Sequence, residues 1–466
     1  MLFSSIPFLY YFLPSVLILY FVVPQKLKNT ILLVSSLIFY GWGEPKYVIL
    51  MVASIIIGYV SGLLIEATNK KSKKRAIMII NVAVNICFLG FFKYSNFFIE
   101  NFNALTGLSI KLLNIALPIG ISFYTFQILS YTVDVYRGTV KAQKNLISLA
   151  TYISMFPQLI AGPIVRYTDI VDSLNDRKHT FFKIATGLRR FIIGLSKKVL
   201  IANALGEFCA TFKASDDKSV FFYWVYAISF CLQVYFDFSG YSDMAIGLGK
   251  IFGFEFMENF NFPFISKSIS EFWRRWHISL GSWFRDYVYI PLGGNRVKKT
   301  RWIFNIVVVW FLTGFWHGAA WNFIVWGLYF VVFLILEKTK PIRFITETKV
   351  LNHIYTLFFI MISFVIFDAV NMGEAFSYIK AMLGFSGAPL ISTEFIYYLK
   401  EYSVVILLGI IGSTPIVKNV FYRLSQAKCC KIVIDVLEPI VLVSLLVLIT
   451  AYLVDGSFNP FLYFRF

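Results

Sequence analysis

Long apolar runs separated by short basic stretches set the pattern of this chain. Residues 46–65, 350–370 and 432–453 carry almost no charge. Each run is about 20 residues long, enough for a helix to cross a bilayer. No polar stretch is long enough to fold as a soluble domain, so residues 1–466 read as one membrane domain. The composition agrees. Hydrophobic residues make up 58% of the chain and charged residues 15%, against about 45–50% and about 25% in a soluble domain. The N-terminal run has no basic segment ahead of it and leads straight into further apolar runs, so it does not read as a cleaved leader.

The net charge of +18 sharpens this picture. In a soluble protein it would suggest nucleic acid. Here the cations sit in short loops between apolar runs, the mark of cytoplasmic loops, so the expected partner is the lipid bilayer of the plasma membrane and not nucleic acid. Lys70-Lys-Ser-Lys-Lys-Arg75 is the strongest such loop. Counting back through residues 46–65, 29–42 and 6–23 places the N-terminus outside. Counting forward, residues 76–92 exit, residues 112–133 return, and the basic stretch 137–144 falls inside. Residues 145–163 are apolar but interrupted by Pro157, Gly162 and Pro163, and read as a re-entrant or in-plane segment. Residues 191–205 contain Lys197 and Lys198, so they cross only with those lysines turned into protein. Residues 220–238 return inward. Later basic loops at 296–301, 337–343 and 418–431 keep the same side and leave the C-terminus outside. The fold class expected is an all-α polytopic membrane protein with about 11 or 12 crossings plus re-entrant and interfacial helices. No internal repeat is visible.

Two apolar arms, 302–316 and 319–336, lie between basic loops and form a hairpin entered from the cytoplasm. His317 is at its turn. At about 1.5 Å per helical residue, an arm of this length places His317 roughly 20–25 Å from the cytoplasmic surface. An ionisable group at that depth ordinarily faces a cavity or a partner. The competing reading is a neutral histidine hydrogen-bonded in a helix turn. A neutral imidazole in a water-poor pocket can activate a hydroxyl, which suits acyl transfer. Asn322 and Asp237 are candidates to orient it. Asp237 belongs to Phe236-Asp-Phe-Ser-Gly-Tyr-Ser-Asp243, two acids in an apolar setting, which otherwise reads as a capped helix end.

Residues 270–287 have a different periodicity. On a helix, Phe272, Trp273, Trp276, Leu280, Trp283, Phe284 and Tyr287 share one arc, and Glu271, Arg274, Arg275, Ser279, Ser282, Arg285 and Asp286 share the other. Such a helix suits the membrane interface. His277 falls at the edge of the aromatic arc, facing either lipid headgroups or protein. His179 and His353 lie in or beside charged loops and are assigned no chemistry. The cysteines form neither a disulfide framework nor a metal site; Cys429 and Cys430, in a basic loop, are candidates for palmitoylation.

Several segments together resemble the membrane-bound O-acyltransferases, of the alginate O-acetyltransferase type. They are Met1-Leu-Phe-Ser-Ser5, Ser122-Phe-Tyr-Thr-Phe-Gln127, residues 131–138, Met155-Phe-Pro-Gln-Leu-Ile-Ala-Gly-Pro-Ile164, residues 236–249 and Glu258-Asn-Phe-Asn-Phe-Pro263. The most specific are Phe272-Trp-Arg-Arg-Trp-His-Ile-Ser-Leu280, residues 283–296 and Thr313-Gly-Phe-Trp-His-Gly318; the terminal residues 459–464 also match. The resemblance implies a helical funnel crossed by a tunnel. It makes His317 the catalytic histidine and His277 the second histidine. Trp273, Trp316, Gln127 and Arg275, within the matched motifs, become candidates to line the tunnel or orient substrate. The implied reaction moves an acetyl group from a cytoplasmic donor, acetyl-CoA, to an extracytoplasmic esterase-like protein or a polysaccharide hydroxyl. No tightly bound cofactor or metal is expected. In this type an Asp is expected after Lys197-Lys-Val-Leu-Ile-Ala202, where this chain has Asn203. A sister branch that moves D-alanyl groups onto teichoic acid shares the Trp-His segment, but Tyr241-Ser-Asp-Met244 and Ile290-Pro-Leu-Gly-Gly-Asn-Arg296 favour acetyl transfer. The rival from another class is a transporter or flippase, which more often shows inverted repeats.

Overall fold

The computed structural model describes residues 1–113 and 115–456. The terminal motif at 459–464 and the side chains of Cys429 and Cys430 lie outside the described residues. Among the described residues there are helices and no strands, and the protein is an all-α, multi-pass membrane protein. Among the described residues, six helices are long and apolar enough to cross a bilayer: Pro45–Ala67, Lys71–Thr106, Val220–Ile251, Leu351–Asp368, Thr393–Gly412 and Lys431–Val454. A seventh span results if Trp321–Leu336 and Lys340–Glu347, bent by 90°, are taken as one. The sequence-based count of crossings is higher because several apolar runs form shorter helices. Residues 112–133 are an example. Their helix begins only at Ile121, after Pro118 and Gly120. Gly120 has φ 75°, and a Cβ there would stand 2.6 Å from the Leu159 carbonyl oxygen.

The chain divides into two compact units, Met1–Phe191 with Met244–Met257, and Ile192–Asp243 with Glu258–Phe466. In the first, the interrupted segment 145–163 takes the broken course that its prolines predict. Asn145 caps the helix Leu146–Ser154 through its side chain. The chain turns at Met155, and the short helix Phe156–Leu159 follows. Residues 148–165 are all buried. Phe156 N–H donates to Ser36 Oγ at 3.0 Å, and Gln158 Nε2 donates to the Tyr152 carbonyl at 2.6 Å. Protein therefore satisfies irregular backbone that lipid could not. Phe156 also joins Phe3, Phe8 and Phe39 in an aromatic core.

In the second unit, Lys197–Ala202 forms a π-helical turn between Phe181–Ser196 and Asn203–Ala214. As expected, its lysines turn inward. Lys198 Nζ meets Asp237 at 2.5 Å, and Lys197 Nζ meets Asp243 at 2.7 Å. The acidic motif 236–243 is therefore not a capped helix end: it lies inside the 32-residue helix Val220–Ile251. Gly240 permits the approach, since a Cβ there would stand 2.7 Å from the Gly194 carbonyl oxygen.

The hairpin around His317 forms as its charge pattern implies. Helix Lys299–His317 and helix Trp321–Leu336 meet at two glycines. A Cβ on Gly314 would lie 2.3 Å from the Phe323 carbonyl oxygen, and one on Gly327 would lie 2.3 Å from that of Trp310. Both obstacles are backbone atoms, so no side-chain rotation relieves the clash. Gly327→Ala is expected to destabilise the protein by at least about 1–3 kcal/mol, the usual cost of overpacking. Gly90→Ala, where nothing lies within 4 Å, should be tolerated. Thermal unfolding of the two purified variants in detergent checks this; equal melting temperatures would contradict the close crossing.

Candidate active site

The amphipathic segment 270–287 is not one helix. It breaks into Ile269–Arg275 and Ile278–Phe284, and the break is at His277, with φ 44° and ψ 53°. A non-glycine residue in this left-handed region costs roughly 1–2 kcal/mol, so surrounding bonds must impose it. The first helix is fixed at its start by Ser268 Oγ, which accepts from Glu271 N–H, and by Glu337, whose carboxylate accepts from Ile269 and Ser270 N–H. Past the break, Ile278 N–H donates to the Asn259 carbonyl at 3.0 Å and Asn261 N–H donates to the Arg275 carbonyl at 2.9 Å. The stretch 259–261 thus holds the kinked chain from the side.

The break turns His277 inward, to 2% exposure, which settles where the edge of the aromatic arc faces. Its partner is Asn259. Asn259 Oδ1 accepts from Ser279 N–H at 3.2 Å and from Ser279 Oγ at 2.8 Å, and lies 3.1 Å from His277 Nδ1. Asn259 Nδ2 donates to Ser242 Oγ at 3.1 Å. A backbone N–H can only donate, so the atom it meets is the amide oxygen, and His277 must carry its proton on Nδ1. Nε2 is then the basic nitrogen of the neutral ring. The ring packs edge-on against Phe238, with centroids 4.6 Å apart.

His317 is the last residue of its helix and is half-buried. Its ring sits among Trp316, Trp326 and Phe367, at centroid distances of 5.0, 5.0 and 5.4 Å. Trp316 also lies 6.3 Å from the His277 ring, so this indole touches the surroundings of both histidines. A cavity of about 340 Å³ opens at His277, lined among others by Trp273, Arg274, Leu280, Trp310 and Thr313. It is mostly apolar with a few polar groups, as small-molecule pockets are.

The remaining candidates divide. Trp273 forms the aromatic wall, 4.7 Å from Trp310 and 4.8 Å from Phe330. Asn322 acts one step away: its Nδ2 donates to the carbonyls of Ala369 and Phe367 at 2.9 and 3.4 Å, which fixes the ring packed on His317. Asp237 meets Lys198 in an ion pair, with Nζ 2.5 Å from Oδ1. Arg275 binds Glu271 at 2.9 Å and the Asn261 carbonyl at 3.1 Å; its neighbour Arg274 is the one that lines the cavity. Gln127 belongs to the first unit, where it is buried in helix Ile121–Arg137. No group of three or more His, Cys, Asp or Glu among the described residues is arranged to hold a metal. Asn259, Ser279 and Phe238 were not foreseen as site residues. Asn259 stands in a motif visible in the sequence, but nothing in its spacing pairs it with a histidine 18 residues on.

Residues 139–372, which contain Asn259, His277 and His317, match the membrane-bound O-acyltransferase family. This chain belongs to that family. It is 39% identical to the probable alginate O-acetylase AlgI of Azotobacter vinelandii over the whole of both chains. It is 43% identical to the protein of the same description from Pseudomonas aeruginosa, over 83% of this chain and 75% of that one. It is 35% identical to the peptidoglycan O-acetyltransferase of Helicobacter pylori, over 93% and 88%. The chain is therefore an acyltransferase of the alginate O-acetylase type. The distinctive local feature of its site is the left-handed His277. Glycine adopts that conformation freely and alanine does not, so His277→Gly should be more stable than His277→Ala by about 1 kcal/mol. Thermal unfolding of the two variants decides it, and an alanine variant as stable as the glycine one would mean that the backbone is not strained.

Proposed function

We propose that this enzyme transfers an acetyl group from acetyl-CoA, bound from the cytoplasm, to a hydroxyl of an extracytoplasmic polysaccharide or cell-wall polymer, directly or by way of an esterase-like partner protein. The observation that carries this reading is the hydrogen-bond set of His277: Nδ1–H is held by Asn259, so Nε2 is the basic nitrogen, beside an apolar cavity. His317 and His277 are the proposed catalytic residues. A neutral imidazole takes the proton of the acceptor hydroxyl as its oxygen attacks the thioester carbonyl. The carbon–sulfur bond breaks, the leaving thiolate takes that proton, and the products are an acetyl ester and free CoA.

The relatives named for acetyl transfer to alginate and to peptidoglycan support the acetyl group and a polymer acceptor. The basic loops at 70–75, 137–144 and 296–301 support a cytoplasmic entry for the donor, with both chain termini outside. His317→Ala is expected to lose at least about 100-fold in acetyl transfer, the lower end of what a positioned acid or base contributes, while inserting normally. The measurement is acetyl-CoA consumption by the purified variant in detergent with a polymer acceptor. Wild-type turnover in that variant would refute the role of His317. Acceptor-independent solute flux by wild-type protein in vesicles, with no CoA release, would refute the enzymatic reading altogether.

A further inference from the structure

His179, to which the sequence assigns no chemistry, lies in a half-buried cluster of the first unit. Its Nδ1 is 3.4 Å from Lys28 Nζ and its Nε2 is 3.0 Å from Tyr20 Oη. An ammonium can only donate, so Nδ1 accepts from Lys28. Nε2–H then donates to Tyr20, whose hydroxyl donates to the Phe252 carbonyl at 2.7 Å. Burial, reinforced by the charge of Lys28, holds His179 below the ordinary histidine range, as a neutral bridge requires.

Positive charge is left on Lys28 and Arg177, which are 9% and 6% exposed. Both stand near the ring of Tyr20, Lys28 Nζ at 4.9 Å and Arg177 Cζ at 5.8 Å from its centroid. Arg177 also stacks on Phe254 at 4.5 Å, and its Nη2 donates to Asn29 Oδ1 at 2.6 Å. Its Nε and Nη1 are buried with no hydrogen-bond partner among the described residues. The charge that acts on Lys28 is that of Arg177, a like charge, and among the described residues no carboxylate is paired with either. Ring contacts and a single amide do not offset the burial of two like charges. An anion does, and a planar guanidinium with two unpartnered nitrogens beside an ammonium matches the tetrahedral oxygens of a phosphate.

We infer that Arg177 and Lys28, aligned by Tyr20, His179 and Asn29, form a binding site for a phosphate group. Two sources offer that chemistry, an anionic phospholipid headgroup and soluble phosphate. The exposed apolar side chains nearby in sequence, Leu27, Phe181 and Phe182, suit a lipid, and clustered cations at the cytoplasmic end of helices suit its headgroup.

The test uses the purified full-length protein in a neutral detergent, titrated with phosphatidylglycerol and separately with inorganic phosphate. Native mass spectrometry reads retained lipid, and thermal unfolding reads stabilisation by either ligand. Saturable binding is expected, weakened roughly ten-fold or more in Lys28→Gln and in Arg177→Gln. Retention of phosphatidylglycerol that phosphate does not displace assigns the headgroup, whereas stabilisation by phosphate alone assigns the soluble source. No saturable binding of either, or equal binding by wild type and Lys28→Gln, would overturn the inference and leave the cluster as a staple between chain segments. Lys28→Gln keeps the test readable should Arg177→Gln fail to fold.

Discussion

The site depends on one side-chain amide. Asn259 accepts from both donors of Ser279 and from His277, and donates to Ser242 on the long helix Val220–Ile251. These bonds hold the chain in the left-handed turn at His277 and select the nitrogen that carries the ring proton. Without them the segment could relax toward the continuous amphipathic helix that its periodicity favours. His277 would then return to the edge of an interfacial face. A local strain of roughly 1–2 kcal/mol is thus balanced by several buried hydrogen bonds.

The rest of the second unit supplies rigid supports for this turn. Glu337, just past the helix Trp321–Leu336, fixes the start of the segment. The glycine crossing at 314 and 327 sets how closely the His317 hairpin closes, and Asn322 fixes the ring that packs on His317. The pairs Lys198–Asp237 and Lys197–Asp243 place four charges where a membrane protein can ill accommodate unpaired ones. Lys198–Asp237 is the buried one of the two, and breaking a buried pair by removing one partner typically costs about 3–5 kcal/mol.

Much of this was legible in the sequence, for identifiable reasons. Apolar length gave the membrane class, and loop charge gave the hairpin with His317 at its end. The prolines and glycine of 145–163 gave the broken, protein-covered segment. What escaped was long-range pairing. Periodicity treats residues 270–287 as one helix because the force that breaks it comes from Asn259, outside the window. The ion pair of Asp237 with Lys198 is invisible to periodicity because Lys198 lies on another helical segment. Arg274 and Arg275 are adjacent, and only the broken helix decides which one faces the cavity. His179 looked like a loop residue because nothing local shows that Tyr20 and Lys28 fold over it.

The most direct test of this account is the protonation of the His277 ring. The chain has four histidines, so ¹⁵N-histidine-labelled protein in lipid, compared with its His277→Gln variant, isolates the signal by solid-state NMR. At neutral pH the account predicts a neutral imidazole with its proton on Nδ1 and an unprotonated Nε2. A ring protonated on Nε2 alone, or a doubly protonated imidazolium, would contradict it.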